Sequence, residues 1–564
     1  MEKNLHENEE LELQYEEYEE EEYRGPSGFS LLLNRYFHHL DRGGSLGGEI
    51  VAGIAMFFLS ICVIFMNMQL VGGVINSDVE LVNAPDSAVN ITAASVYTQL
   101  YVGAILVSIL GSLLMGLVAR LPFTQVSTMG FASSLLCLVG THSGLTWENL
   151  LFINLVAGIL YAVLSAVPAL RQWITDAIPT PVRKTLPAAV GLMTAYYALQ
   201  MTGLVTTATI GFGTSQQITL INGLAVTDLR TLALCGIIGA AVAVGLFILL
   251  KLLRRKHLVM LPLLGGTVAF ALASLLLGGT DTSNTESFIN FGRVWLVAGS
   301  QASQFTPFGD SYLTYSMDAI GAVFGNMGSV VTKGMDFSAY TGNSLILVVS
   351  GVLCYVLAGL FGVQGVVLAS EDRLNAPETA EENLHKAMLC NALTNVAAPL
   401  FGVAGVTPGV SSVAAVKDNA KSGIASIVAC IGFVISLFVM AFPALFATVT
   451  YGVPSMNTWN YFAYGNGGIV YLIQGVVFTV VDAVLICVGI SMAAALKDLD
   501  WKDISQSVPA VVTLVASVLT ANLLAGAACG TVLNLLLSLG KDKKPLSVPS
   551  AFVAVLMVVT MVLL

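Results

Sequence analysis

Two stretches decide how this chain folds: Leu121-Pro-Phe-Thr-Gln-Val-Ser-Thr-Met-Gly130 and Gly402-Val-Ala-Gly-Val-Thr-Pro-Gly-Val-Ser-Ser412. Each belongs to an apolar run of the kind that crosses a membrane, yet each is short, polar and broken by Pro and Gly. The first opens the run Phe123–Gly140, with Gln125, Ser127, Thr128 and Gly130; the second carries Gly405, Thr407, Pro408, Gly409, Ser411 and Ser412. Irregular backbone at membrane depth survives only where it is buried in protein or lines a cavity. Interrupted segments in matching positions of two halves are the strongest sequence pointer to a transport site.

The surrounding composition supports the same reading. Of 564 residues, 56% are apolar and only 10% charged, against about a quarter charged in a soluble chain. A water-soluble multidomain protein is therefore excluded. The 54 glycines suit transmembrane helices, where small residues let backbones approach. The net charge of −11 is concentrated in residues 1–24, where eleven Glu face Lys3 and Arg24, a local balance of −9. Cysteines such as Cys62, Cys137, Cys235 and Cys487 sit in apolar runs without metal spacing, so no disulfide, cysteine metal site or cofactor is expected. The first apolar run begins near residue 50, behind the acidic tail, and no cleavable signal peptide is expected.

Apolar spans are read at 49–72, 99–119, 123–140, 148–168, 186–205, 231–251 and 258–278, then at 343–369, 387–404, 407–416, 423–449, 468–495, 508–521 and 523–539. This makes an all-α polytopic membrane protein of about 14 segments, spaced as a 7 + 7 inverted repeat. The division is 1–40, an acidic disordered tail; 41–278, the first repeat; 279–342, an extracytoplasmic connecting loop; 343–540, the second repeat; and 541–564, a basic turn with an apolar helix. The last two spans are too short to be full ones and read as two broken helices meeting near Gly526. Arg42, Arg120, Arg183, Lys251, Lys421 and Lys502 fall on one side, whereas loops 73–98, 140–147 and 447–467 hold no Lys or Arg. The positive-inside rule then makes the amino terminus cytoplasmic.

Four further segments carry a family resemblance. They are Glu49-Ile-Val-Ala-Gly-Ile-Ala-Met-Phe57, Leu121-Pro-Phe123 with Met129-Gly130, Ile178-Pro179 through Lys184 with Ala188-Ala-Val-Gly-Leu192, and Asp500-Trp-Lys-Asp503 with Val508-Pro-Ala510. In order and spacing, over about residues 40–540, the chain resembles the nucleobase cation symporter-2 permeases, in particular their adenine/guanine/hypoxanthine branch. The resemblance implies a core and a gate domain, a substrate held between short strands in spans three and ten beside span eight, homodimers, and proton-coupled nucleobase uptake across the plasma (inner) membrane. At three family acid positions this chain is neutral: Gly362 in span eight, Asn391 in span nine and Ser411 in span ten. Neutral amides and hydroxyls hydrogen-bond a nucleobase, but they do not carry a proton.

The substrate-contact candidates are Gln125, Ser127, Thr128, Thr407, Ser411, Ser412 and Gln364, with Phe131 and Phe361 as surfaces for a planar ring. The alternative for the hydroxyls is return of hydrogen bonds to the membrane backbone; for the phenylalanines it is packing. Asp482, set in Val-Phe-Thr-Val-Val-Asp-Ala-Val, is the carboxylate deepest in a long apolar run and the proton-coupling candidate. Lys417 and Asp418 are expected to pair at the end of span ten, and His38, His39, His142 and His257 to be solvated. The leading function is a secondary transporter of a small polar solute, purines first, working by alternating access. Its partners are that solute, membrane lipid and a coupling proton or cation, with no nucleic acid. The alternatives are a sulfate-permease-like anion carrier and a sensor or scaffold that kept the fold. No nucleophile–base set, phosphate loop or metal cluster suggests an enzyme.

Overall fold

The structure, a computed structural model, describes residues 28–75, 96–127, 146–201, 205–212, 216–224, 231–253, 257–277, 310–338, 340, 343–374, 379–438, 480–520 and 522–538, with a few residues between 550 and 558. From the amino end the helices are α1 (Gly28–Phe37), α2 (Leu46–Ile75) and α3 (Val96–Leu113), the last drawn out by a wide turn, Leu114–Ala119. Strand β1 (Gln125–Ser127) precedes α4 (Trp147–Ala166), α5 (Pro168–Ala177) and α6 (Thr180–Met201). A hairpin of β2 (Val205–Phe212) and β3 (Gln216–Leu224) leads to α7 (Thr231–Leu252) and α8 (Met260–Leu277). The second half holds α9 (Asp310–Thr332), α10 (Ser344–Leu374), α11 (Ala380–Ala397), β4 (Val406–Pro408), α12 (Val410–Lys417) and α13 (Gly423–Phe438). It closes with α14 (Asp482–Met492), α15 (Ile504–Leu519) and α16 (Leu523–Leu537).

These elements pack as two bundles. In the strand-bearing bundle α2, α3, α4, α9, α10, α11, α12 and α13 surround β1 and β4; in the second bundle α6, α7, α8, α14, α15 and α16 pack on one another. The bundles meet where α6 and α16 lie against α10 and where α12 touches α14. Among the described residues, Leu100–Ala119, Trp147–Ala166 and Ser344–Leu374 are long and apolar enough to cross a membrane, and seven shorter helices are apolar as well. Exposed side chains such as Ile159, Val163, Ile248, Leu249, Leu272 and Leu276 give the bundles an oily outer surface suited to lipid rather than water. The chain is thus a multi-pass membrane protein.

Small residues set how closely helices approach. Gly116 and Gly423 touch backbone to backbone, a Cβ on Gly423 falling 2.0 Å from the Gly116 carbonyl oxygen. Gly191 of α6 and Gly489 of α14 do the same inside the second bundle. Close approach of this kind is how helices bind one another when lipid offers no hydrophobic drive.

The elements depart from the sequence reading in informative places. Residues 205–224, expected to be a connection, form the β2–β3 hairpin with Thr209 opposite Thr219; the Val-Thr-Thr-Ala-Thr-Ile and Ile-Thr-Leu-Ile runs are β-branched. The 279–342 connection contains α9, whose Phe324 ring meets Phe401 edge-on at 5.7 Å between centroids. Helix α11 begins seven residues before the apolar run at 387, because Thr379 and Glu382 form a capping box over a polar first turn. The last two helices break at 520–522, with Asn522 capping α16 through the Leu524 and Ala525 amides. Gly526, expected at that break, instead lies inside α16, where a Cβ would strike the Ser517 hydroxyl of α15. His39 is not solvated but fully buried, its Nε2 3.0 Å from the Ser30 hydroxyl. His142 and most of 541–564 lie outside the described residues.

Substitution at the tightest crossings tests this packing. Gly423→Ala and Gly103→Ala each drive a methyl into a carbonyl, of Gly116 and Phe401 respectively, at a cost of about 1–3 kcal/mol. Thermal unfolding of the detergent-purified protein is expected to fall by several degrees for both, whereas Gly245→Ala, with open space around it, melts like the parent. Equal melting of all four proteins would refute the crossings.

Candidate functional site

The site is built on the two broken segments. β1 and β4, one from each half of the chain, pair antiparallel, with Gln125 opposite Pro408, Val126 opposite Thr407 and Ser127 opposite Val406. Three-residue strands leave most of their backbone groups unpaired, and α11 supplies the partners. Asn395 donates to the Val406 carbonyl at 2.8 Å and accepts from the Val406 amide at 2.9 Å. Asn391, one turn earlier, donates to the same carbonyl at 2.8 Å and to the Gln125 Oε1 at 3.0 Å. One side of the strand pair is thereby held by a two-rung amide ladder on a helix.

A hydroxyl cluster holds the other end. The Ser60 hydroxyl of α2 donates to Ser411 at 2.8 Å and lies 3.0 Å from that of Thr124. The Thr124 amide donates to the Ser412 hydroxyl at 3.0 Å, and the Gly409 amide donates to the Thr124 carbonyl at 3.3 Å. Thr124 therefore occupies the amino end of α12, satisfying a donor that would otherwise be orphaned there. Ser426 of α13 donates to the carbonyls of Leu121 at 2.8 Å and Phe123 at 3.0 Å, which fixes the approach to β1.

Strand pleat sorts the candidates. Side chains alternate across a strand and directly paired residues share a face, so Val126 and Thr407 face one way and Gln125 and Ser127 the other. Gln125 turns to α11 and α3, bonding Asn391 and the Gly111 carbonyl. Thr407 turns to α10, where a Cβ on Gly362 would lie 2.8 Å from its methyl and 3.3 Å from its hydroxyl oxygen. Position 362 is therefore packed against Thr407, and Gly is what fits.

Gln364 is fully buried, and neither its amide oxygen nor its nitrogen has a hydrogen-bond partner among the described residues. At about 100° per residue it lies roughly 200° around α10 from Gly362, so it is not on the face that meets Thr407. Gly365 meets Val190 of α6 and marks the α10 face turned to the second bundle. Phe361 is buried on the same helix. Thr128 and Phe131 lie outside the described residues. Asp482 is fully buried at the start of α14, in the second bundle and apart from the strand pair.

No residue of 121–127 or 406–416 is ionisable, so the site works through neutral hydrogen bonds. No group of three or more His, Cys, Asp or Glu among the described residues is arranged to hold a metal. Charge gathers instead at one end. Lys417 and Asp418 do not pair: Lys417 donates to the Ser491 hydroxyl, and Asp418 accepts from the Val259 and Met260 amides. Burial raises the Asp418 carboxyl above the usual carboxylate range, opposed by those two amides and by His257. Burial likewise lowers the Lys421 ammonium. Asn395, Ser60 and Thr124 were not legible as site residues; the i, i+4 spacing of Asn391 and Asn395 in an apolar helix was the available signal.

The chain is related along most of its length to known permeases. It is 23% identical over 504 residues to the putative permease MJ0326 of Methanocaldococcus jannaschii, covering 89% of this chain and 91% of that protein. It is 22% identical over 507 residues to the adenine permease AdeQ of Escherichia coli (89% and 90%), and 22% over 500 residues to the guanine/hypoxanthine permease PbuO of Bacillus subtilis (88% and 92%). These are permeases rather than enzymes, and the relationship is to the nucleobase cation symporter-2 family. No protein-family model matches the chain. Among solved structures it is similar to the transmembrane domain of a cyanobacterium bicarbonate transporter BicA, with TM-score 0.39 and 11% identity over 86% of this chain and 97% of that one. The murine Slc26a9 anion transporter matches with TM-score 0.41 and 12% identity, over 93% and 75%.

The amide ladder gives a direct test. Asn395→Ala leaves the Val406 amide and carbonyl short of partners in a dry site, at a cost of about 1–3 kcal/mol. Its melting temperature is expected to drop well below that of Gln125→Ala, which loses a bond of 3.5 Å to Gly111 and the partner of one Asn391 proton. The reverse order would remove Asn395 as the clamp.

Proposed function

We propose that the chain is a purine permease: a secondary transporter that carries a nucleobase between the paired strands and α10. The observation that supports this most is the antiparallel β1–β4 pair, buried at the meeting point of both halves in a relative of adenine and guanine/hypoxanthine permeases. A planar ring with N–H donors and ring-nitrogen acceptors is complementary to amide and hydroxyl groups, and Thr407, on the strand face that meets α10, carries a hydroxyl there. Motion of the strand-bearing bundle, as core, against the second bundle, as gate, provides alternating access. The 14-segment inverted repeat, the homodimer, the plasma-membrane location and a cytoplasmic basic end belong to the same reading. Proton symport requires a carboxylate outside the strand pair, and Asp482 is the candidate; Asp482→Asn is then expected to abolish any dependence of uptake on external pH.

Uptake of radiolabelled adenine, guanine and hypoxanthine in a host stripped of its own purine permeases tests the proposal. Saturable uptake of at least one is expected, reduced about tenfold or more by Thr407→Val, the scale of losing a bond to a buried polar group. Absence of uptake for all three, with protein present in the membrane, would overturn it.

The Gly362–Thr407 contact adds a sharper arm. Gly362→Ala is expected to impair uptake by pushing a methyl onto that of Thr407, and Thr407→Ser, which removes the latter, to restore it. A coupling of about 0.5–3 kcal/mol is typical of residues in contact. Additive effects of the two substitutions would show that the contact does not shape the site.

A further inference from the structure

The short connection 418–422, between α12 and α13, is tied in two directions. Toward its own bundle, the Lys421 amide donates to Glu49 Oε1 at 2.8 Å, Arg42 donates to the Lys421 carbonyl at 3.0 Å, and the Lys421 ammonium donates to the Arg373 carbonyl. Arg42, Glu49 and Asp418 are all buried. Toward the second bundle, Asp418 spreads its carboxylate over the start of α8: Oδ1 accepts from the Val259 amide at 2.8 Å and Oδ2 from the Met260 amide at 3.2 Å. Lys417 meets Ser491 of α14 beside it, and Asp372 lies 3.9 Å from Lys497. These polar links between the bundles sit at the basic end.

The three links are not equal. Asp372 and Lys497 are both exposed, and such pairs contribute little. Ser491 offers Lys417 a neutral acceptor. Asp418 alone is a buried carboxyl group on two amides at a helix amino terminus, where hydrogen bonding and the helix dipole act together. When the bundles part, carboxylate and amides both regain water, so the contact is reversible.

We infer that Asp418 is a latch that holds the basic end of the interface between the bundles shut, and therefore a positioning residue for transport that never touches substrate. The inference rests on the transport reading above. Asp418 sits one residue beyond α12, whose first turn carries Ser411 and Ser412, so movement of the site helix draws directly on the latch. Loss of the latch shifts the population toward the state open at that end and depletes the form that receives substrate from the other side.

The test uses the full chain in lipid nanodiscs and in cells, with Asp418→Ala and Asp418→Asn. Hydrogen exchange of the 259–260 amides is expected to quicken about tenfold in Asp418→Ala, with a smaller change in Asp418→Asn, which keeps an acceptor oxygen. Apparent KM for purine uptake is expected to rise about tenfold while the maximal rate stays within about twofold, as it does when only the competent fraction falls. Exchange that does not change in either variant overturns the latch, and so does faster exchange with an unaltered KM. Should Asp418→Ala fail to fold, Asp418→Asn carries both readouts. A wild type that transports no purine refutes the transport reading, and the exchange arm still decides whether Asp418 holds α8.

Discussion

Backbone hydrogen bonding in a dry environment is the constraint on which this structure depends. Two segments at membrane depth abandon the helix, and each unsatisfied amide or carbonyl there would cost several kcal/mol. They solve the problem together: β1 and β4 pair with each other, Asn391 and Asn395 complete the outer edge of β4, and Thr124 fills the amino end of α12. Neither half of the chain closes this site alone. The site is consequently where the two halves are joined most specifically.

The same constraint bears on charge. A buried carboxylate needs partners or it takes up a proton, and the space around the strands offers none. Gly362 is packed on Thr407, Asn391 is committed to two bonds, and Ser411 is held by Ser60. Ionisable groups gather at the basic end, where Glu49 accepts from the Lys421 amide, Arg42 donates to the Lys421 carbonyl and Asp418 accepts from two amides.

Division of labour follows between the two regions. The strand pair supplies shape and neutral hydrogen bonds, which discriminate by leaving a wrong partner unsatisfied. The charged end supplies contacts that bridge the bundles.

From the sequence by itself came the membrane class and the interruption of the apolar runs at 121–127 and 402–412, because hydropathy and Pro/Gly interruption are local properties. Gln125, Thr407, Ser411 and Ser412 were legible as polar residues in apolar runs. What each one touches was not. Strand pleat sends Gln125 to Asn391 and Thr407 to Gly362, and pairing between residues some 280 positions apart leaves no mark on either segment alone. The same holds for Asp418, expected to pair with the adjacent Lys417 and found on the amides of α8. Local pattern set which segments enter the membrane and which of them break; long-range closure of backbone hydrogen bonds decided how the broken ones meet.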